Sequence, residues 1–190
     1  MGPIETNTLK KFRLTTVFIV SILTFSWLAW THFHGGVQSH HILDQKDLPA
    51  ISNWWSAILL PVLTWMLTGR IKKRIDKNPD TANQQPFNKK NVLSRFIPGL
   101  FLGIMLSISF IHGYKLFLDN VLYVILVFSF AIPIYNSEFI LGFILGMTYT
   151  FGAILPAAFI SLVSAVGFVI YKYIRPIILK WTKSILIKSS

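Results

Sequence analysis

The sequence predicts an all-α integral membrane protein, a six-transmembrane-helix bundle with both termini in the cytoplasm. Three observations carry that prediction. The chain of 190 residues is 53% hydrophobic and 15% aromatic but only 13% charged, with a mean hydropathy of +0.58. Its apolar residues come in long uncharged runs, and runs of ~17–25 such residues read as bilayer-spanning helices. The charges between those runs sort by type, with almost all Lys and Arg on one side and all five histidines on the other.

The first span is Leu14–Trp30. Lys10, Lys11 and Arg13 precede it as they would precede a signal peptide. The apolar run is longer than a typical signal core, and no small-x-small cleavage site follows, so it is expected to remain as a membrane span. The second span, Trp54–Thr68, opens on the pair Trp54-Trp55, residues that favour the membrane interface. The third is Phe96–Ile111 and the fourth Val121–Ile134. The fifth and sixth share one uncharged run, Phe139–Tyr171. As a single helix that run would reach roughly 50 Å, against ~30 Å of hydrocarbon. Gly152 and Pro156 supply a break, because Pro removes a donor and clashes with the preceding turn. Two short spans, 139–153 and 157–173, joined near Thr150–Pro156, are therefore expected.

The charges set the orientation. Six spans put three segments on one side. The N-terminus carries Lys10, Lys11 and Arg13. The loop 70–95 carries Arg70, Lys72, Lys73, Arg74, Lys77, Lys89, Lys90 and Arg95. The tail 174–190 carries Arg175, Lys180, Lys183 and Lys188, just after Lys172. Only Lys46 and Lys115 are left for the other side, and the positive-inside rule places the basic side in the cytoplasm. Five spans would put the basic tail outside. Within the basic loop, Asp76–Asn91 is polar, with Pro79 and Pro86, and reads as a flexible linker between a two-helix and a four-helix part. The stretch Ile174–Ile187 mixes Ile, Leu and Trp181 with Lys and Arg. It is expected to form a basic amphipathic helix on an anionic leaflet, with Pro176 near its start. Small residues recur every four positions at Gly99, Gly103 and Ser107, at Gly142 and Gly146, and at Ala157, Ser161 and Ala165. Such stripes let helix backbones approach closely in lipid, inside one bundle or across a homodimer seam.

Composition also excludes. A net charge of +11 would suggest nucleic acid in a soluble chain, but here the cations flank apolar runs, so the expected partner is the lipid bilayer and not nucleic acid. The absence of cysteine removes disulfides, thiolate metal sites and Cys nucleophiles. There is no P-loop and no GxSxG motif. No charged residue lies deep in a span, which argues against an ion-coupled carrier. Asp119 comes nearest, and Glu138 falls at the cytoplasmic turn between spans four and five.

One candidate site emerges, at the outer face. The first outer loop, Thr31–Pro49, holds His32, His34, His40 and His41 with Asp44 and Asp47, and His112 sits at the outer end of span three. Gly35-Gly36 lets the chain fold back after span one, and Asp47 is placed to cap a short helix entering Trp54-Trp55. Neutral imidazole is the commonest ligand of zinc and copper, and carboxylates complete such sites. The expected ligand set for zinc or another divalent transition metal is drawn from His32, His34, His40, His41, Asp44 and His112. Trp54, Trp55, Tyr114 and Asp119 are the ligand-contacting candidates beside it. The spacing matches no fixed zinc motif, and interfacial histidines with no ligand are the plain alternative.

Three functions follow. The first is an extracytoplasmic metal-dependent enzyme whose metal activates water against a lipid or other amphiphile, the histidine loop facing the lipid-embedded aromatics Trp27, Trp30, Trp54, Trp55 and Phe110. The second is a substrate-binding or transport subunit of a membrane complex, since six spans in about this length is the size of small substrate-capture subunits. With no nucleotide site of its own, it would take energy from a membrane-protein partner docked on the basic loop and tail. The third is a structural or assembly subunit without a catalytic site. The compact bundle and short loops suit a bacterial inner membrane.

Overall fold

The computed structural model describes residues 3–41, 47, 49–76 and 89–180. Helix takes up 84% of them. Six main helices follow one another: α1 Pro3–Phe33, α2 Ser56–Asp76, α3 Lys89–Ile111, α4 Lys115–Phe128, α5 Ser137–Phe151 and α6 Ile154–Val169. Between α1 and α2 lies a small antiparallel pair, β1 Ser39–His41 and β2 Ala50–Ser52, with Ser39 opposite Ser52 and His41 opposite Ala50. A single 3-10 turn, Asn53–Trp55, leads into α2.

Among the described residues, three helical stretches are long and apolar enough to cross a membrane: Leu9–Phe33, Lys90–Ile111 and Ile154–Lys180. At most 28% of the residues in any of their apolar windows are buried in the protein. Faces this apolar and this bare are a liability in water and the required state in lipid. The chain is thus a membrane protein by the character of its longest helices.

The helices alternate in direction. α1 and α2 are antiparallel: the Arg13 guanidinium reaches the carbonyl of Trp65, and at the far end the rings of His32 and Trp54 lie 5.9 Å apart. α2 and α5 are antiparallel too, joined by Arg74 and Glu138 at one end and by the Ala153 N–H donating to Ser56 Oγ at 2.9 Å at the other. α5 and α6 form a hairpin. Phe143 stacks on Phe159 at 5.9 Å, and Ser164 Oγ donates to the carbonyl of Ile134 at 3.3 Å. The turn is made at Gly152, whose φ of +69° is one that side chains resist. Pro156 sits in the first turn of α6, where its missing N–H has no intrahelical partner to lose.

α3 and α5 run parallel, and their contact is backbone on backbone. A Cβ on Gly103 would stand 2.5 Å from the Phe143 carbonyl oxygen and 3.1 Å from Gly146 Cα. One on Gly146 would stand 2.6 Å from the Leu100 oxygen. Ser107 closes the row by donating to the Gly146 carbonyl at 3.2 Å. The first two small-residue stripes are therefore partners of each other within one bundle. The third is not: Ser161 and Ala165 are exposed. This packing makes α5 the central helix, with Glu138, Phe139, Leu141, Gly142, Phe143, Ile144, Gly146 and Thr148 all buried.

Several boundaries differ from expectation. The fourth helix covers Lys115–Phe128, not 121–134. Ile132 and Ile134 extend the apolar run, but Pro133 lacks an N–H and the chain turns there, burying Ile134 against Gly167 of α6. α2 and α3 run past their apolar stretches to Asp76 and from Lys89, because a hydropathy window stops at charge whereas a helix does not. The rest of the expected linker, 77–88, lies outside the described residues. The tail does not begin as a separate helix. It continues α6 through a wider π-helical turn, Ile170–Ile174, at the place where Pro176 withholds its N–H. Residues 181–190 of the expected amphipathic tail lie outside the described residues. Asp47 sits in a turn, and the cap of the 3-10 turn is Ser52, whose Oγ accepts from the Trp54 N–H.

The alternation gathers the charges. Arg13, Arg70, Lys72, Lys73, Arg74, Lys90, Lys172 and Arg175 share one end of the bundle. His32, His34, His112 and Lys115 share the other, with the Gly152 turn.

Candidate functional site

The histidine end is built by the turn after α1. Gly35 and Gly36 both adopt positive φ, 110° and 91°, and send the chain back across the bundle. The Asn53 N–H donates to the Gln38 carbonyl at 3.1 Å, which ties this loop to the start of α2.

The expected metal ligands do not converge among the described residues. His32 lies at the end of α1, its ring edge-on to Phe33 and Trp54. His34 stacks on Trp30 with ring centroids 3.8 Å apart, and its Nδ1 lies 2.9 Å from the Trp30 carbonyl. His112 stacks on Tyr114, with Nδ1 2.9 Å from the Ile108 carbonyl. A carbonyl only accepts, so in both rings Nδ1 carries the proton in this contact and Nε2 is the nitrogen left out of it. No three His, Cys, Asp or Glu of the described residues are grouped as a metal site. His40 and His41 have their backbones in β1, but their side chains, like Asp44 as a whole, lie outside the described residues. Trp54, Trp55 and Tyr114 are exposed at this end, and Asp119 is exposed on α4.

What the structure does bring together is a cavity of about 390 Å³. Trp27 and Thr31 of α1, Val37 and Gln38 of the loop, Asn53, Phe110 and Ile111 of α3, and Tyr149 and Thr150 of α5 line it. The indole Nε1 of Trp27 and the Oγ1 of Thr150 are buried and have no hydrogen-bond partner among the described residues. A third such atom, Thr64 Oγ1, is not in this lining. Buried polar atoms left unpaired are costly, about 1–3 kcal/mol each, so a pair of them on one cavity wall calls for an explanation. The lining offers an indole donor, two hydroxyls, two amides, a phenol and three aromatic faces, and no formal charge. Such a wall suits a small uncharged molecule with a ring-like body and hydrogen-bond acceptors.

Sequence reasoning placed Trp27 and Phe110 near the outer loop but took them for lipid-facing aromatics. It missed Gln38, Asn53, Tyr149 and Thr150. The local signal was slight: a polar Asn53 just before the tryptophan pair, and Tyr149-Thr150 inside an apolar run. It also missed Arg74 as the partner of Glu138.

No family model matches the chain, no curated protein matches its sequence and no solved structure matches its fold.

Proposed function

We propose that this chain is a six-span, multi-pass protein of a bacterial cytoplasmic membrane, with both termini cytoplasmic. In this reading its outer cavity binds a small neutral ligand as the substrate-binding or transport subunit of a membrane complex. The observation that carries the binding role is the shared cavity wall of Trp27 Nε1 and Thr150 Oγ1, two buried polar atoms without a partner among the described residues.

Topology is supported by the alternating helices and by the separation of cations from histidines along the bundle axis. α4 and α5 have 14 and 15 residues, or about 21–23 Å at 1.5 Å per residue, short of the ~30 Å of hydrocarbon. α5 is enclosed by its neighbours and need not match lipid. After α4, Ser129, Ile134 and Asn136 are buried, and irregular backbone at membrane depth is tolerated where protein covers it.

The test is direct. Wild-type protein and the Trp27→Phe/Thr150→Val double variant would be purified in mild detergent, and retained small molecules identified by mass spectrometry. A compound retained by wild type and lost from a folded variant supports the reading. Equal retention, or none in wild type across several growth media, counts against it.

Metal binding at the outer loop is the second reading. What favours it is that His34 and His112 each engage a backbone carbonyl through Nδ1 and leave Nε2 out of that contact, as metal-ligating histidines commonly do.

A further inference from the structure

The basic end carries a pocket that the binding role does not use. It has a volume of about 500 Å³ and is lined by Arg13, Met66, Gly69, Arg70, Lys72 and Lys73. Four cations thus line it, with no carboxylate in the lining among the described residues. Arg74, the next residue along, is taken up by Glu138.

Arg13 is held in place rather than loose. Its Nε and one terminal nitrogen donate to the Trp65 carbonyl at 3.1 and 2.8 Å. The guanidinium lies 3.4 Å from the centroid of the Trp65 ring. Gly69 makes the room, since a Cβ there would stand 3.0 Å from the Arg13 guanidinium. The remaining guanidinium donors, without a partner among the described residues, can take a further acceptor in the fixed fork geometry that suits phosphate oxygens. Beside the cations, Trp65 and Met66 are exposed, an apolar pair next to a charged pocket. A surface that is apolar on one side and cationic on the other matches the boundary between acyl chains and headgroups.

We propose that this pocket binds the phosphate-bearing headgroup of an anionic phospholipid, with its acyl chains lying along Trp65 and Met66. Like-charged side chains gathered with no carboxylate beside them among the described residues repel one another. A bound phosphodiester relieves that repulsion and accepts from Arg13 as well as from the lysines. The inference rests on the reading of the chain as a membrane protein, but not on which way it faces or on the outer cavity.

The full chain in neutral detergent would be titrated with phosphatidylglycerol, phosphatidylcholine or inorganic phosphate and followed by native mass spectrometry. Wild type should bind phosphatidylglycerol at least tenfold more tightly than phosphatidylcholine, as expected where a basic residue near the headgroup is worth about 1 kcal/mol. Arg70→Gln/Lys72→Gln/Lys73→Gln should lose that preference. Lys172→Gln/Arg175→Gln/Lys180→Gln, with the same charge removed at the same end, should keep it. Arg13→Lys, which keeps the charge but not the two-donor hold on Trp65, should weaken binding several-fold and serves if the triple variant fails to fold. Equal loss in both triple variants would reduce the effect to net charge and overturn the proposal. So would an absent preference in wild type. Displacement of the lipid by equimolar inorganic phosphate would assign the pocket to the free ion instead.

Discussion

Arg74 holds both carboxylate oxygens of Glu138 across 64 residues of sequence. The Glu138 side chain has no exposure and that of Arg74 is 37% exposed. The pair joins α2 to the first turn of α5, where a carboxylate also meets the positive end of the helix. The asymmetry in exposure predicts an asymmetry in damage. Arg74→Ala strands a buried carboxylate and should cost about 3–5 kcal/mol. Glu138→Gln leaves an arginine that can reach water and should cost clearly less. Thermal unfolding in detergent would show it, and equal shifts for the two variants would remove the pair from its role as a structural tie.

Gly103 and Gly146 touch through backbone alone. Gly103→Val and Gly146→Val must push α3 and α5 apart, and overpacking of this kind costs about 1–3 kcal/mol or more. Ser161→Leu on the exposed third stripe should leave stability unchanged. Chemical unfolding of the three variants in mixed micelles would rank them. A Gly103→Val protein as stable as wild type would be incompatible with the close α3–α5 contact.

The chain has no cysteine, so single cysteines report topology without background. Ser39→Cys at the histidine end should react with a membrane-impermeant maleimide in intact cells. Lys73→Cys at the basic end should react only after the membrane is opened. Labelling of Lys73→Cys in intact cells would reverse the proposed orientation, and labelling of neither would question the exposure of the loop.

For the histidines, the prediction concerns metal content under chelator-free purification. If the outer loop holds a metal, wild type should carry near-stoichiometric zinc, copper or iron. His34→Ala/His112→Ala should lose most of it, because three-ligand sites fail when two ligands go. Metal content unchanged in that variant would exclude these two rings as ligands.

Hydropathy and charge made much of the architecture legible. Each is a local property: an uncharged run prefers lipid wherever it packs, and a lysine beside it prefers water. The membrane class, six helices, and a break at Gly152 follow from such preferences along the chain. The end of the fourth helix did not, because Ile132 and Ile134 look like lipid-facing residues until α6 covers Ile134.

The sequence by itself therefore determined what each segment is and which segments share an end of the bundle. It also located every small-residue stripe. Only the tertiary structure decided which stripes meet, that Glu138 is buried against Arg74, and that Trp27, Asn53 and Thr150 share one cavity. The physical reason is that these are pairings between residues some twenty-five to well over a hundred positions apart. A residue's own chemistry states what environment it needs, and only the packing of the other helices states which partner supplies it.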